Sequence, residues 1–153
     1  MTLIEMLLNP PLINGVPNAD LVKRFTPQEI RETIQSLVAV EKIELANALG
    51  DAGISIYPES EDMLAICSLL SMMNQDWQTA VEMMDQLIDK QGEGTQPFTY
   101  IMMVRALRCN LEPARALEVA RKGLSKYPNQ VELVAEQLSL EEFDQSMLFK
   151  SGD

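Results

Sequence analysis

The 153-residue sequence contains no histidine. Without an imidazole, no Ser-His-Asp or Cys-His arrangement can be built. A histidine-ligated zinc site is excluded, and the commonest general base near neutral pH is missing. Aromatic residues make up only 5% of the chain. Cysteine is limited to Cys67 and Cys109, too far apart for a CxxC pair. Two such cysteines are expected to be buried apolar thiols of a reducing compartment. Long hydrophobic runs are also missing. The most apolar stretch, Met63–Met73, has 11 residues and is interrupted by Ser68 and Ser71, whereas a membrane span needs about 20. Positive charge is scarce, with 12 Lys and Arg against 23 Asp and Glu and a formal net charge of −11. That balance argues against a phosphate-backbone binder. The start, Met1-Thr-Leu-Ile-Glu-Met, has an acid where a signal peptide carries bases. A soluble, acidic, cytoplasmic protein is expected, with one domain or one domain plus appended helices.

What is present is helical. Leucine, alanine and methionine outnumber valine and isoleucine, and no stretch alternates with period two. Pro10-Pro11 and Gly15-Val16-Pro17 interrupt the first 20 residues. Thr26-Pro27-Gln28-Glu29 reads as a helix start, with Thr26 as cap, Pro27 in the first turn and Glu29 completing a capping box. Turn-like breaks fall at 53–60, 91–96 and 127–130, with weaker ones near Val40, Asn74–Asp76 and Asn110–Pro113.

The spacing of these breaks points to an internal repeat. Shifted by 70 residues, Ala46 falls on Ala116, Gly53 on Gly123, Ser55 on Ser125, Tyr57 on Tyr127 and Pro58 on Pro128. Leu49 meets Val119 and Ile54 meets Leu124. Ala80, Met84 and Leu87 take the corresponding places midway. The pattern resembles the tetratricopeptide repeat, in which a helix A, a tight turn and a helix B recur about every 34 residues. The resemblance implies units at 27–60, 61–96 and 97–130. Small helix B positions are met by Ala46, Ala80 and Ala116, and by Gly53 and Gly123, though Leu87 departs from the pattern. The closing proline is Pro58 and Pro128, with Gly92 in the middle unit. Trp77 opens the middle helix B, where an aromatic is common in the family. The expected fold class is therefore all-α: a short α-solenoid of about three such repeats, with an N-terminal extension (1–25) and a C-terminal capping helix and tail (131–153). Stacked repeats need a cap with a polar outer face. Val131, Val134 and Leu138 form an apolar stripe to pack inward, while Glu132, Glu136, Glu141 and Glu142 can face water.

Catalytic motifs find no support. Gly92-Glu93-Gly94 lacks the lysine and strand context of a phosphate loop. The adjacent acids Glu61-Asp62 and Glu141-Glu142 diverge on a helix rather than converging in a cleft. No calcium-loop spacing occurs. No enzyme activity, cofactor or metal is expected. In the resembled family the A helices line a concave, protein-binding groove. This implies groove residues Arg31 and Gln35 from the first unit, Ala65, Leu69 and Met72 from the second, and Phe98, Ile101, Arg105 and Arg108 from the third. Their apolar members serve equally well as core. Seven methionines between Met63 and Met103 suit an adaptable surface or gap filling in a core short of rings. Segment 97–128 carries +4, between 59–96 at −7 and 129–153 at −5. This basic island either pairs with the C-terminal helix or presents Arg105 and Arg108 to an acidic partner.

The layout as a whole resembles the small cytosolic chaperones and accessory proteins of bacterial type III secretion systems. That resemblance implies a protein client and a possible homodimer, while the acidic charge and the short apolar runs lead to the expectation of no nucleic-acid partner and no membrane insertion. A tetratricopeptide-like adaptor that assembles a multiprotein complex is the alternative.

Overall fold

The computed structural model describes residues 19–151, with side chains from Asp20 to Asp144. Most of the expected N-terminal extension, 1–18, lies outside the described residues, as does the end of the tail, 152–153. Among the described residues there are eight α-helices, one short 3-10 turn and no strand. The helices are α1 (Ala19–Val22), α2 (Pro27–Ala39), α3 (Ile43–Ile56), α4 (Glu61–Met73), α5 (Trp77–Gln91), α6 (Pro97–Cys109), α7 (Pro113–Lys126) and α8 (Val131–Ser151). They divide into two compact units, one reaching to Asn74 and one beginning at Gln75.

In the first unit, the capping box that opens α2 is complete. The Glu29 amide donates to Thr26 Oγ1 at 3.2 Å, and the Thr26 amide donates to Glu29 Oε1 at 3.0 Å. These bonds satisfy two backbone donors that a helix start otherwise leaves open. The chain reverses into α3 through a tight C-terminal turn. The Glu41 amide donates to the Val38 carbonyl and the Lys42 amide to the Leu37 carbonyl, a Schellman pair. Glu41 sits at φ 62°, in the left-handed region usually given to glycine. Ile30 and Ile34 of α2 are fully buried and face α3. There Gly50 and Gly53 lack the side chains that would hold the helices apart, and Met63 and Leu70 of α4 fill the space beside them. The Tyr57 hydroxyl closes the hairpin by donating to the Phe25 carbonyl at 2.8 Å.

The second unit repeats this construction. Leu111 (φ 60°) takes the left-handed place, and the Glu112 amide reaches the Leu107 carbonyl. Gly123 of α7 approaches Tyr100 of α6 and Leu133 of α8. The Tyr127 hydroxyl donates to the Thr95 carbonyl at 2.7 Å. Helix α5 packs on α6, and α8 packs on α7 and α6. The α5 N-cap, Asp76, accepts from the Thr79 amide, and Gly92 (φ 54°) ends that helix.

Two expectations are corrected. The stripe of Val131, Val134 and Leu138 does not pack inward. Leu133 and Leu140 fill the core instead, and the other three are exposed. Glu132 is exposed as expected but also pairs with Arg105, whereas Glu136 is largely covered and pairs with Arg105 and Arg108 of α6. The helix was phased by its valines, but arginine pairing and the close fit of Leu133 against Gly123 rotate it the other way. The second correction concerns cysteine: Cys67 is buried as expected, but Cys109 is exposed near the end of α6.

Candidate functional site

The candidate groove residues all lie on A helices, and their spacing puts those of each helix on one face. In the first unit Arg31 of α2 forms an ion pair with Asp62 of α4 at 3.1 Å. Gln35 lies one turn beyond Arg31 and is exposed. Ala65, Leu69 and Met72 follow Asp62 along the same face of α4 and are half-buried. The opposite side of α4 carries Met63, Cys67 and Leu70, which are buried. The structure therefore brings Arg31 and Gln35 to the same side of the first unit as Ala65, Leu69 and Met72. Adjacent to charge at one end, this surface is apolar along α4. Its ion pair is open to solvent, so it contributes at most about 1 kcal/mol.

In the second unit Phe98, Ile101, Arg105 and Arg108 share a face of α6 but differ in fate. Phe98 is 58% exposed, whereas Ile101 is 3% exposed and belongs to the core. Tyr100, Met103 and Val104 of the same helix are buried with it. Arg105 donates to Glu132 Oε2 at 3.0 Å and lies 3.8 Å from Glu136. Arg108 donates to Glu136 and, at 3.2 Å, to Ser139 Oγ. Of the two alternatives for the basic island, internal pairing with α8 is the one found. Arg121 of α7 also pairs with Glu141 of α8, and Arg115 of α7 pairs with Asp85 of α5.

The residues that the groove assignment missed are thus Glu132 and Glu136, which hold Arg105 and Arg108. Their signal was visible as a +4 segment flanked by acidic ones. Charge sums alone gave no pairing, because each bond depends on the rotation of a helix about its axis.

The Cys67 thiol is pushed up to about 12, first by burial and then by the negative charge of Asp51. Its Sγ donates to the Gly50 carbonyl at 3.4 Å. A thiol so held stays protonated and is a poor nucleophile. Among the described residues no group of three or more His, Cys, Asp and Glu side chains could hold a metal ion. Among them, too, no helix is long and apolar enough to cross a membrane.

No family model and no curated protein matches this sequence. Solved structures do match. The chain is similar in fold to MamA. With MamA MSR-1 the TM-score is 0.73 at 15% identity, covering 94% of this chain and 76% of that one. With MamA AMB-1 it is 0.73 at 13% identity, covering 93% and 77%. With the double mutant MamA RS-1 ArsTM it is 0.61 at 9% identity, covering 79% and 76%. MamA is a tetratricopeptide-like helical protein, and the expected class, an all-α solenoid of such repeats, is the class found. At these identities the likeness to MamA is one of fold.

Proposed function

We propose that this chain is a non-catalytic protein-binding module. The observation that carries the reading is the face of α4. Ala65, Leu69 and Met72 stay half-exposed beside Arg31 and Gln35, while the other side of the helix is buried. A half-exposed apolar strip built on flexible methionine and leucine suits an apolar or amphipathic segment of another protein. The tetratricopeptide-like fold supports the same class of role. Within it, the first reading is a cytoplasmic secretion chaperone, working as a homodimer, that shields an apolar client segment without turnover or cofactor. In the second unit Phe98 offers a further apolar contact, whereas Arg105 and Arg108 are engaged by α8. That engagement favours an apolar client over an acidic one. The second reading is an adaptor that joins folded proteins.

A single substitution tests the module and its client together. Leu69→Asp is placed in the tagged chain, and partners are captured from native cells and identified by mass spectrometry. Loss of a partner with helix content unchanged supports the α4 face. A partner that is insoluble when expressed alone supports the chaperone reading, and a soluble one supports the adaptor. Undiminished capture by a folded Leu69→Asp variant overturns the assignment of this face.

A further inference from the structure

The four helices α2, α4, α6 and α8 follow equivalent turns and share one register. Ile30 and Ile34 of α2 correspond to Tyr100 and Val104 of α6, and these to Val134 and Leu138 of α8. In α2 and α6 these residues are fully buried. They face the helix B of their own hairpin: Gly50 and Gly53 of α3 lie against Ile34 and Ile30, and Gly123 of α7 lies against Tyr100. In α8 the same register is open. Val134 is 36% exposed and Leu138 56%, and Val131 on the same face is 76% exposed. Single exposed apolar residues are ordinary on a protein surface. Three at i, i+3 and i+7 on one helix, in a register that is buried elsewhere in the molecule, form a face built for a helix.

We propose that this outer face of α8 docks a basic amphipathic helix of another protein, in the place a helix B occupies on α2 and α6. Charge chooses between occupants. Segment 129–153 holds six acids and one base. Glu132, Glu136 and Glu141 are engaged by arginines of α6 and α7. Glu142, one turn beyond Leu138, is exposed beside the open face, with no ion pair to another described residue. The α8 of a second copy would bring the same excess of acid, which like-charge repulsion disfavours. A helix with basic flanks is complementary. The helix B already seated against α8 has this character: α7 combines a small face (Ala116, Ala120, Gly123) with Arg115, Arg121, Lys122 and Lys126. This surface is distinct from the α4 face and does not depend on the client proposed for it.

The probe is a fluorescein-labelled peptide of residues 113–126, titrated against the full chain by fluorescence anisotropy. Its control is the same peptide carrying Arg115→Glu, Arg121→Glu, Lys122→Glu and Lys126→Glu. Binding of the basic peptide is expected to weaken at least tenfold in the Leu138→Ser chain and to be unaffected by Leu69→Asp. Because Leu138 is exposed, Leu138→Ser leaves the unfolding midpoint near its original value, and Val134→Ser serves as a second variant. Equal binding of both peptides, no binding of either, or full binding to both folded serine variants overturns the proposal. A photo-crosslinker at position 138 of the unliganded chain adds an independent readout. Crosslinks to a second copy, or to residues 1–18, identify a different occupant and also overturn it.

Discussion

The hairpins α2–α3 and α6–α7 are built from the same parts, yet their close contacts meet different partners. In each, a glycine of helix B lies where a side chain would collide with a neighbour. In each, a tyrosine at the end of helix B ties back to the carbonyl just before helix A begins. At Gly53 an added Cβ would lie 2.6 Å from Met63 Cε, the tip of a flexible side chain, and 3.2 Å from Ile30 Cγ2. At Gly123 it would lie 3.0 Å from Tyr100 Cγ and 3.1 Å from Tyr100 Cβ, at the rigid base of a buried ring. The repeat fixes where helices touch. The neighbour decides how much error that contact tolerates.

The sharpest way to break the comparison is to fill both glycines. Overpacking costs about 1–3 kcal/mol, and alanine recovers about 1 kcal/mol of helix preference over glycine. Gly123→Ala is expected to destabilise by up to about 2 kcal/mol on that balance, because Tyr100 cannot move aside. Gly53→Ala is expected to fall near neutral, because Met63 can change rotamer. Urea unfolding midpoints of the two variants decide it. Equal losses would mean that the two sites relax alike.

A smaller effect is expected where the hairpins agree. Tyr57→Phe removes a hydroxyl shared between the Phe25 carbonyl (2.8 Å) and, more weakly, the Lys23 carbonyl (3.4 Å), and Tyr127→Phe removes the bond to the Thr95 carbonyl, for about 1 kcal/mol apiece. Matching losses sharpen the equivalence of the ties. A loss at only one would show that the other hairpin end is held by its neighbours.

The smallest effect at neutral pH separates the two thiols. Cys109 is exposed and is expected to react with iodoacetamide in the native state, while Cys67 is expected to react only on unfolding. Cys67 also makes stability pH-dependent in one direction. Its folded value lies near 12, above the ordinary thiol value. Below that ordinary value both states are protonated and the contribution is fully present. As pH rises toward 12 the unfolded chain loses its proton first, so stability declines. A Cys67→Ala chain is expected to lose less stability than the parent between neutral pH and pH 10, in paired urea titrations.

Much of the fold was legible because it rests on local signals. Thr26, Pro27 and Glu29 announce a helix start in any context, and the capping box is there. The 70-residue match of Gly53 with Gly123 and Tyr57 with Tyr127 marks equivalent contacts in the sequence alone, although it does not reveal the tyrosine ties themselves. Where reading failed, a rotation was at stake. In α8 both Val134 and Leu133 are apolar, and only the arginines of α6 and the space above Gly123 select Leu133 for the core. The same limit applies to the candidate face. The spacing placed Ile101 beside Arg105 and Arg108, but spacing cannot tell a buried turn from an open one. The left-handed turn residues Glu41, Gln75 and Leu111 were unreadable for a different reason. None is glycine, so the usual sequence sign of such a turn was missing.

The tyrosine ties also bear on how the chain finds its fold. Each joins residues 32 apart. Both hairpins therefore close a loop of the same length, and the entropy of that closure is the same for each. Neither hairpin has a topological head start, so the order in which they form is left to the strength of the side chains between their helices.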